Sequence, residues 1–191
     1  MTPLLSTSNT DVLSSKKEVD FFKVDETDNM IEFGEYSTIA SQDQTKRKYI
    51  SVKTIGTNNL VKPGELVWIR GRVASVRAKG NACFLVLRSD CFYTIQACHF
   101  KDKNQPDISK QLIKFTGNIS TESIVDIIGV VSTAEVKSCT QNDVEIQIKK
   151  IFTVSKAPVQ LPFLLDDASR SQIEIDNSVN SDRPFSGVTQ V

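Results

Sequence analysis

Cys83, Cys91, Cys98 and Cys139, with the lone His99, are the side chains whose types could bind a metal or act as nucleophiles. Their spacing supports neither role. No two cysteines are separated by two residues, so a zinc site is not expected, and four scattered cysteines in 191 residues do not make a dense disulfide framework. Free thiols in a reducing compartment are the simplest reading. Neither a glycine-rich phosphate loop nor a paired-carboxylate or nucleophile–base set is present. The chemistry these residue types do support is recognition. An aromatic ring on a strand face offers a stacking surface, and amide and carboxylate groups beside it offer hydrogen bonds to the edges of unpaired bases.

The charge distribution points the same way. The whole chain carries 23 basic and 23 acidic residues and is formally neutral, but the charges are segregated. Residues 1–50 are net −3, residues 51–165 net +6 and residues 166–191 net −3. A basic middle between acidic ends suits a polyanionic partner. The apolar runs are far shorter than a membrane span, and the N-terminus lacks the charged and long apolar regions of a secretory signal.

Residues 1–34, rich in Ser, Thr, Asp and Asn, read as largely disordered, with a short helix expected around Glu35–Ser41 and an extended piece at Tyr49–Lys53. Strands begin at Leu66. The first runs from Val67 to Val76, with Gly71 at a candidate bulge, and a turn follows at Ala78-Lys79-Gly80-Asn81. Ala82–Arg88 and Phe92–His99 form a hairpin through Ser89-Asp90-Cys91. Ile108, Leu112 and Phe115 stand at helical spacing behind a cap at Asp107, giving a helix over Ser109–Phe115. Ser123–Thr133, interrupted by Gly129, and Asp143–Val154 supply the last two strands. Three strands, a helix and two strands over roughly 90 residues fit an all-β fold, the five-stranded Greek-key barrel of the OB type. The expected division is an N-terminal extension over 1–48, the barrel over 49–160 and a polar hinge or linker over 161–191.

A strand's period of two sorts the faces. Val67, Ile69, Val73, Cys83, Leu85, Leu87, Tyr93, Ile95, Ala97, Val144, Ile146 and Ile148 point inward. Trp68, Arg70, Arg72, Phe84, Arg88, Phe92, Gln96 and Glu145 point outward, and Arg77 and Lys79 follow in the loop after the first strand. Barrels of this type bind single strands on the face built around strands two and three, so Phe84 is a candidate stacking ring, Gln96 and Glu145 candidate base-edge readers, and Arg70, Arg72, Arg77, Lys79 and Arg88 candidate phosphate contacts. Two alternatives stay open on the pattern: Phe84 packs beneath a terminal segment or partner, or Phe84 and Trp68 belong to a subunit interface.

The ordered set of strings is similar to the anticodon-binding domain of eukaryotic cytosolic aspartyl-tRNA synthetases. It includes Cys83-Phe84-Leu85-Val86-Leu87-Arg88, Ile95-Gln96-Ala97, Glu122-Ser123-Ile124-Val125-Asp126 and Ser138-Cys139-Thr140-Gln141. Asp143-Val144-Glu145-Ile146 and Leu164-Leu165-Asp166-Asp167-Ala168-Ser169-Arg170-Ser171 complete it, so the likeness runs over about residues 66–171. The resemblance implies a barrel gripping the anticodon loop of tRNA(Asp): Phe84 stacked on the middle anticodon base, Gln96 and Glu145 on base edges, and Arg77 holding the RNA. The link between Phe84 and Gln96 is one residue longer than is usual in the family. The family's lysine-rich extension has no counterpart in residues 1–34, which are acidic on balance with only Lys16, Lys17 and Lys23; Lys46-Arg47-Lys48, beyond that stretch, is the better candidate for its role.

The resemblance further implies a cytoplasmic, homodimeric enzyme using ATP and Mg2+ in a class II catalytic domain beyond this stretch. The chain itself is expected to hold no cofactor, to have no catalytic activity, and to end in the hinge before that domain. A barrel binding single strands without base selectivity is the competing function.

Overall fold

The computed structural model describes residues 30–36, 47–161 and 168–178. In chain order the elements are β1 (Glu32–Glu35), a 3-10 turn (Val52–Thr54), β2 (Leu66–Lys79), β3 (Ala82–Ser89), β4 (Tyr93–Phe100), α1 (Pro106–Gly117), β5 (Ile124–Thr133), β6 (Val144–Ser155) and α2 (Gln172–Ser178). β2 pairs antiparallel with β3, β3 with β4, β4 in parallel with β6, β6 with β5, and β5 back onto β2. That circuit closes a five-stranded barrel, in which β4 pairs only with the first part of β6. The expected order of three strands, a helix and two strands is borne out, with expected strands one to five being β2 to β6.

Alternation fills the interior. Ile69, Leu85, Leu87, Ile95, Ile146 and Ile148 are buried where parity puts them, each contributing about 1.5–3 kcal/mol by leaving water. The one exception on the inward set is Tyr93, which begins β4 at the hairpin tip and is 39% exposed, because the barrel wall has ended there.

Two glycines have roles other than those expected. The bulge in β2 lies between Val73 and Ser75, not at Gly71. Gly71 is instead a close approach, since a Cβ there would sit 3.3 Å from the Arg88 carbonyl oxygen and the Leu87 Cβ. Gly129 does not interrupt its strand. It sits where β5 shifts register against β6, and a Cβ there would come within 2.4 Å of the Gln147 carbonyl oxygen.

β3 and β4 are joined through Asp90, Cys91 and Phe92, the first two at positive φ, so the strand expected from Phe92 begins at Tyr93. This turn keeps Val86 opposite Gln96. α1 starts earlier than expected. Gln105 is the N-cap and Pro106 the first helical residue, with Asp107 in the first turn and Lys114 in the last, an order that suits the helix dipole. Its buried face is Ser109, Leu112, Ile113 and Thr116, and Ile108 turns to solvent.

The stretch read as disordered contains β1, a sixth strand lying parallel to the far part of β6 with Glu32 opposite Lys150. Lys150 is 6% exposed, and its ammonium meets the Glu32 carboxylate at 3.1 Å, which offsets part of its desolvation. Of the helix expected over 35–41, Glu35 is strand and the Tyr36 N–H donates to the Thr153 carbonyl; residues 37–46, like 1–29, lie outside the described residues. Within Tyr49–Lys53 the chain bridges to Trp68 at Tyr49 and then turns into the 3-10 segment. The expected polar linker holds the short helix α2.

Trp68 is half-buried and covered by its own chain. The Arg47 guanidinium lies 4.3 Å over its ring, and the Phe152 ring stacks with it at 6.4 Å between centroids and with Tyr36 at 5.1 Å. Burial pushes the Tyr36 phenol up to about 12, against the opposing pull of Arg47, to which it is hydrogen-bonded.

Candidate nucleic-acid interface

The outer face of β2, β3, β4 and β6 is ordered in rows that the ladder registers define. Arg77 faces Phe84, Phe84 faces Cys98, and Cys98 faces Gln147. In the next row Ser75 faces Val86, Val86 faces Gln96, and Gln96 faces Glu145. Successive rows are two residues apart along each strand, or about 6.7 Å. The ring, the amide, the carboxylate and one guanidinium are therefore on one continuous surface.

Phe84 is half-buried and outside the core cluster, with the Phe100 ring edge-on at 5.7 Å between centroids. The edge-to-face contact fixes the ring while leaving part of it open. Gln96 Nε2 donates to Glu145 Oε2 at 2.8 Å, and Gln147 Nε2 donates to Glu145 Oε1 at 2.8 Å. Two amides thus hold the carboxylate in place, and each oxygen keeps a lone pair for a further donor. Beneath them Cys98 is fully buried, and burial beside the Glu145 carboxylate raises its thiol well above the usual range, so it stays protonated.

A loop borders this surface. Thr94 and Thr140 exchange hydrogen bonds, Thr94 N–H to Thr140 Oγ1 at 2.7 Å and Thr140 N–H to Thr94 Oγ1 at 2.9 Å. The Gln141 N–H adds a bond to the Thr94 carbonyl at 3.0 Å. These contacts tie the Ser138–Gln141 segment to β4 beside Gln96.

The expected cations divide into two groups. Arg77 and Lys79 belong to the end of β2 rather than to a loop, and both are exposed on the face of Phe84. The other arginines are engaged within the fold. Arg70 makes a bidentate pair with Asp126, at 2.6 and 2.9 Å, and its Nη2 donates to the Tyr49 hydroxyl at 3.1 Å. Arg88 meets both Glu122 oxygens at 2.9 and 3.1 Å, and Arg72 donates to the Glu122 carbonyl at 3.2 Å. Gln147, Cys98 and Phe100 were not among the expected residues, although carrying the parity of Gln96 along β4 and of Glu145 along β6 puts all three on this face.

Residues 67–154 match the family of OB-fold nucleic acid binding domains. Over 144 residues, 74% of the chain, the sequence is 43% identical to the cytoplasmic aspartate–tRNA ligase of Bos taurus, and over 140 residues it is 39% identical to that of Caenorhabditis elegans. The aspartyl-tRNA synthetase of Entamoeba histolytica superposes with a TM-score of 0.65 at 29% identity, covering 95% of this chain and 34% of that one. The chain spans about a quarter of the length of the curated relatives it matches, 27% for the bovine protein.

Proposed function

We propose, for a chain that belongs to the OB-fold nucleic acid binding domains and is a homologue of the cytosolic aspartyl-tRNA synthetases, that its barrel recognises the anticodon loop of tRNA(Asp). The observation that carries this reading is the hydrogen-bonded Gln96–Glu145 pair one row from the half-open Phe84 ring. Each part has a physical task. Phe84 stacks on the middle anticodon base, which must leave its neighbours in the loop to reach the ring. Gln96 already spends a donor on Glu145, so its carbonyl oxygen is the group that accepts from the imino N–H of a uracil. Glu145, held between two amides, accepts from an exocyclic amino group and rejects a base presenting a carbonyl there. Arg77 and Lys79 meet phosphates on the flank.

The module serves aspartate–tRNA ligation without performing chemistry itself, in a cytoplasmic enzyme acting as a homodimer and using ATP and Mg2+. Among the described residues no group of three His, Cys, Asp or Glu side chains converges as a metal site.

The test is a titration of the chain with an anticodon stem-loop of tRNA(Asp) and with the same hairpin carrying a scrambled anticodon, over a range of salt. Preferential, salt-sensitive binding of the first supports the reading. Equal affinity for both hairpins overturns it in favour of a barrel without base selectivity.

A further inference from the structure

The outer face does not end at Phe84. One row further from Glu145, Phe100 on β4 stands opposite Ala82 on β3, which stands opposite Lys79 on β2. Phe100, the last residue of β4, is 51% exposed, so much of its ring is open to solvent. Its edge-on contact with Phe84 at 5.7 Å makes the two rings one aromatic ledge. Behind Phe100 a shallow cleft of about 450 Å³ is lined by Asn81, Phe100, Lys101, Asp102, Lys103 and Pro106. Its lining is mainly apolar and includes two exposed lysines, Lys101 and Lys103. The Asp102 carboxylate faces inward to the turn, where it accepts from the Asn104 N–H at 2.8 Å.

We propose that Phe100 and this cleft form a second nucleotide subsite, which takes the base adjacent to the one on Phe84 on the side away from Glu145. This rests on the anticodon-loop reading and extends it. The occupant is single-stranded RNA rather than a protein segment, because the cleft continues the Phe84 surface and because Lys79, Lys101 and Lys103 give its border the charge a phosphate chain needs. Phe100 supplies stacking, the lysines neutralise the adjoining phosphate, and the step between rows sets the distance from one base to the next.

The experiment uses the full chain and anticodon stem-loops of tRNA(Asp) carrying 2-aminopurine at one loop position at a time. Three variants are compared with the unsubstituted protein: Phe84→Leu, Phe100→Leu and Phe100→Tyr. Far-UV circular dichroism confirms the fold of each. Phe84→Leu is expected to change the fluorescence at one loop position. Phe100→Leu should change it at the neighbouring position and weaken binding about five-fold or more, with Phe100→Tyr restoring both. Lys101→Ala with Lys103→Ala should reduce the salt dependence of binding. If Phe84→Leu weakens binding while Phe100→Leu leaves both affinity and every fluorescence position unchanged, the second subsite is overturned and the anticodon reading stands. If neither leucine variant affects binding, both are overturned.

Discussion

Arg77 stands directly across the β2–β3 ladder from Phe84 because β2 carries an extra residue between Val73 and Ser75. Counting by twos from Val67 would turn Arg77 into the core. The bulge reverses the parity, so that Val76 faces Leu85 inside and Arg77 and Lys79 emerge beside the ring. Arg77→Ala is therefore expected to weaken stem-loop binding by a similar factor for every anticodon sequence. It should also lower the slope of log affinity against log salt by about 1. A titration series at several salt concentrations reads both; a change confined to one anticodon sequence would make Arg77 a base reader instead.

Phe84→Ala should cost about 1–3 kcal/mol of binding free energy with little change in salt slope, since it removes stacking and no charge.

Gln96 and Glu145 act as a joined pair, so their effects on binding should not add. In a double-mutant cycle of Gln96→Ala and Glu145→Ala, an interaction energy of about 0.5–3 kcal/mol is expected. Independent effects would show that the 2.8 Å bond between them has no part in recognition.

Asp126 is fully buried and its Arg70 partner is 36% exposed. Removing the cation strands a buried charge, whereas removing the carboxylate leaves an arginine that can turn to water. Arg70→Met should thus destabilise the fold by about 3 kcal/mol and more than Asp126→Asn does, with the salt slope of RNA binding unchanged. Urea unfolding of the two variants gives the order.

His99 is buried, with Nδ1 on the Ile148 carbonyl at 2.9 Å and Nε2 on the Ser109 hydroxyl at 2.6 Å. In the neutral ring Nδ1–H donates to the carbonyl and Nε2 accepts from the hydroxyl. Burial lowers its pKa. The unfolded chain therefore takes up a proton first, so stability is fully present above the ordinary value of about 6.5 and is lost as the pH falls through the depressed native value. Urea midpoints measured between pH 7 and pH 5 should fall, and His99→Gln should flatten that fall.

Parity alone was enough to separate Leu85 and Leu87 from Phe84, and Ile146 from Glu145, because a regular strand buried on one side has only one arrangement that keeps its apolar set dry. The likeness carried by strings such as Glu122–Asp126 and Ser138–Gln141 was legible for the same reason that the barrel was: it lies in the residues themselves. The amino-acid order thus determined the barrel, its helix, and the outward placing of Phe84, Gln96 and Glu145. Tertiary structure decided the rest. Which arginines stay available depends on partners far away in the chain, Asp126 for Arg70 and Glu122 for Arg72 and Arg88. The side on which Arg77 emerges depends on a bulge that costs one residue and leaves no composition signal. The strand at Glu32–Glu35 forms only because β6 outruns β4 and offers an edge with Lys150 on it, a condition that no local pattern in an acidic, polar segment can express.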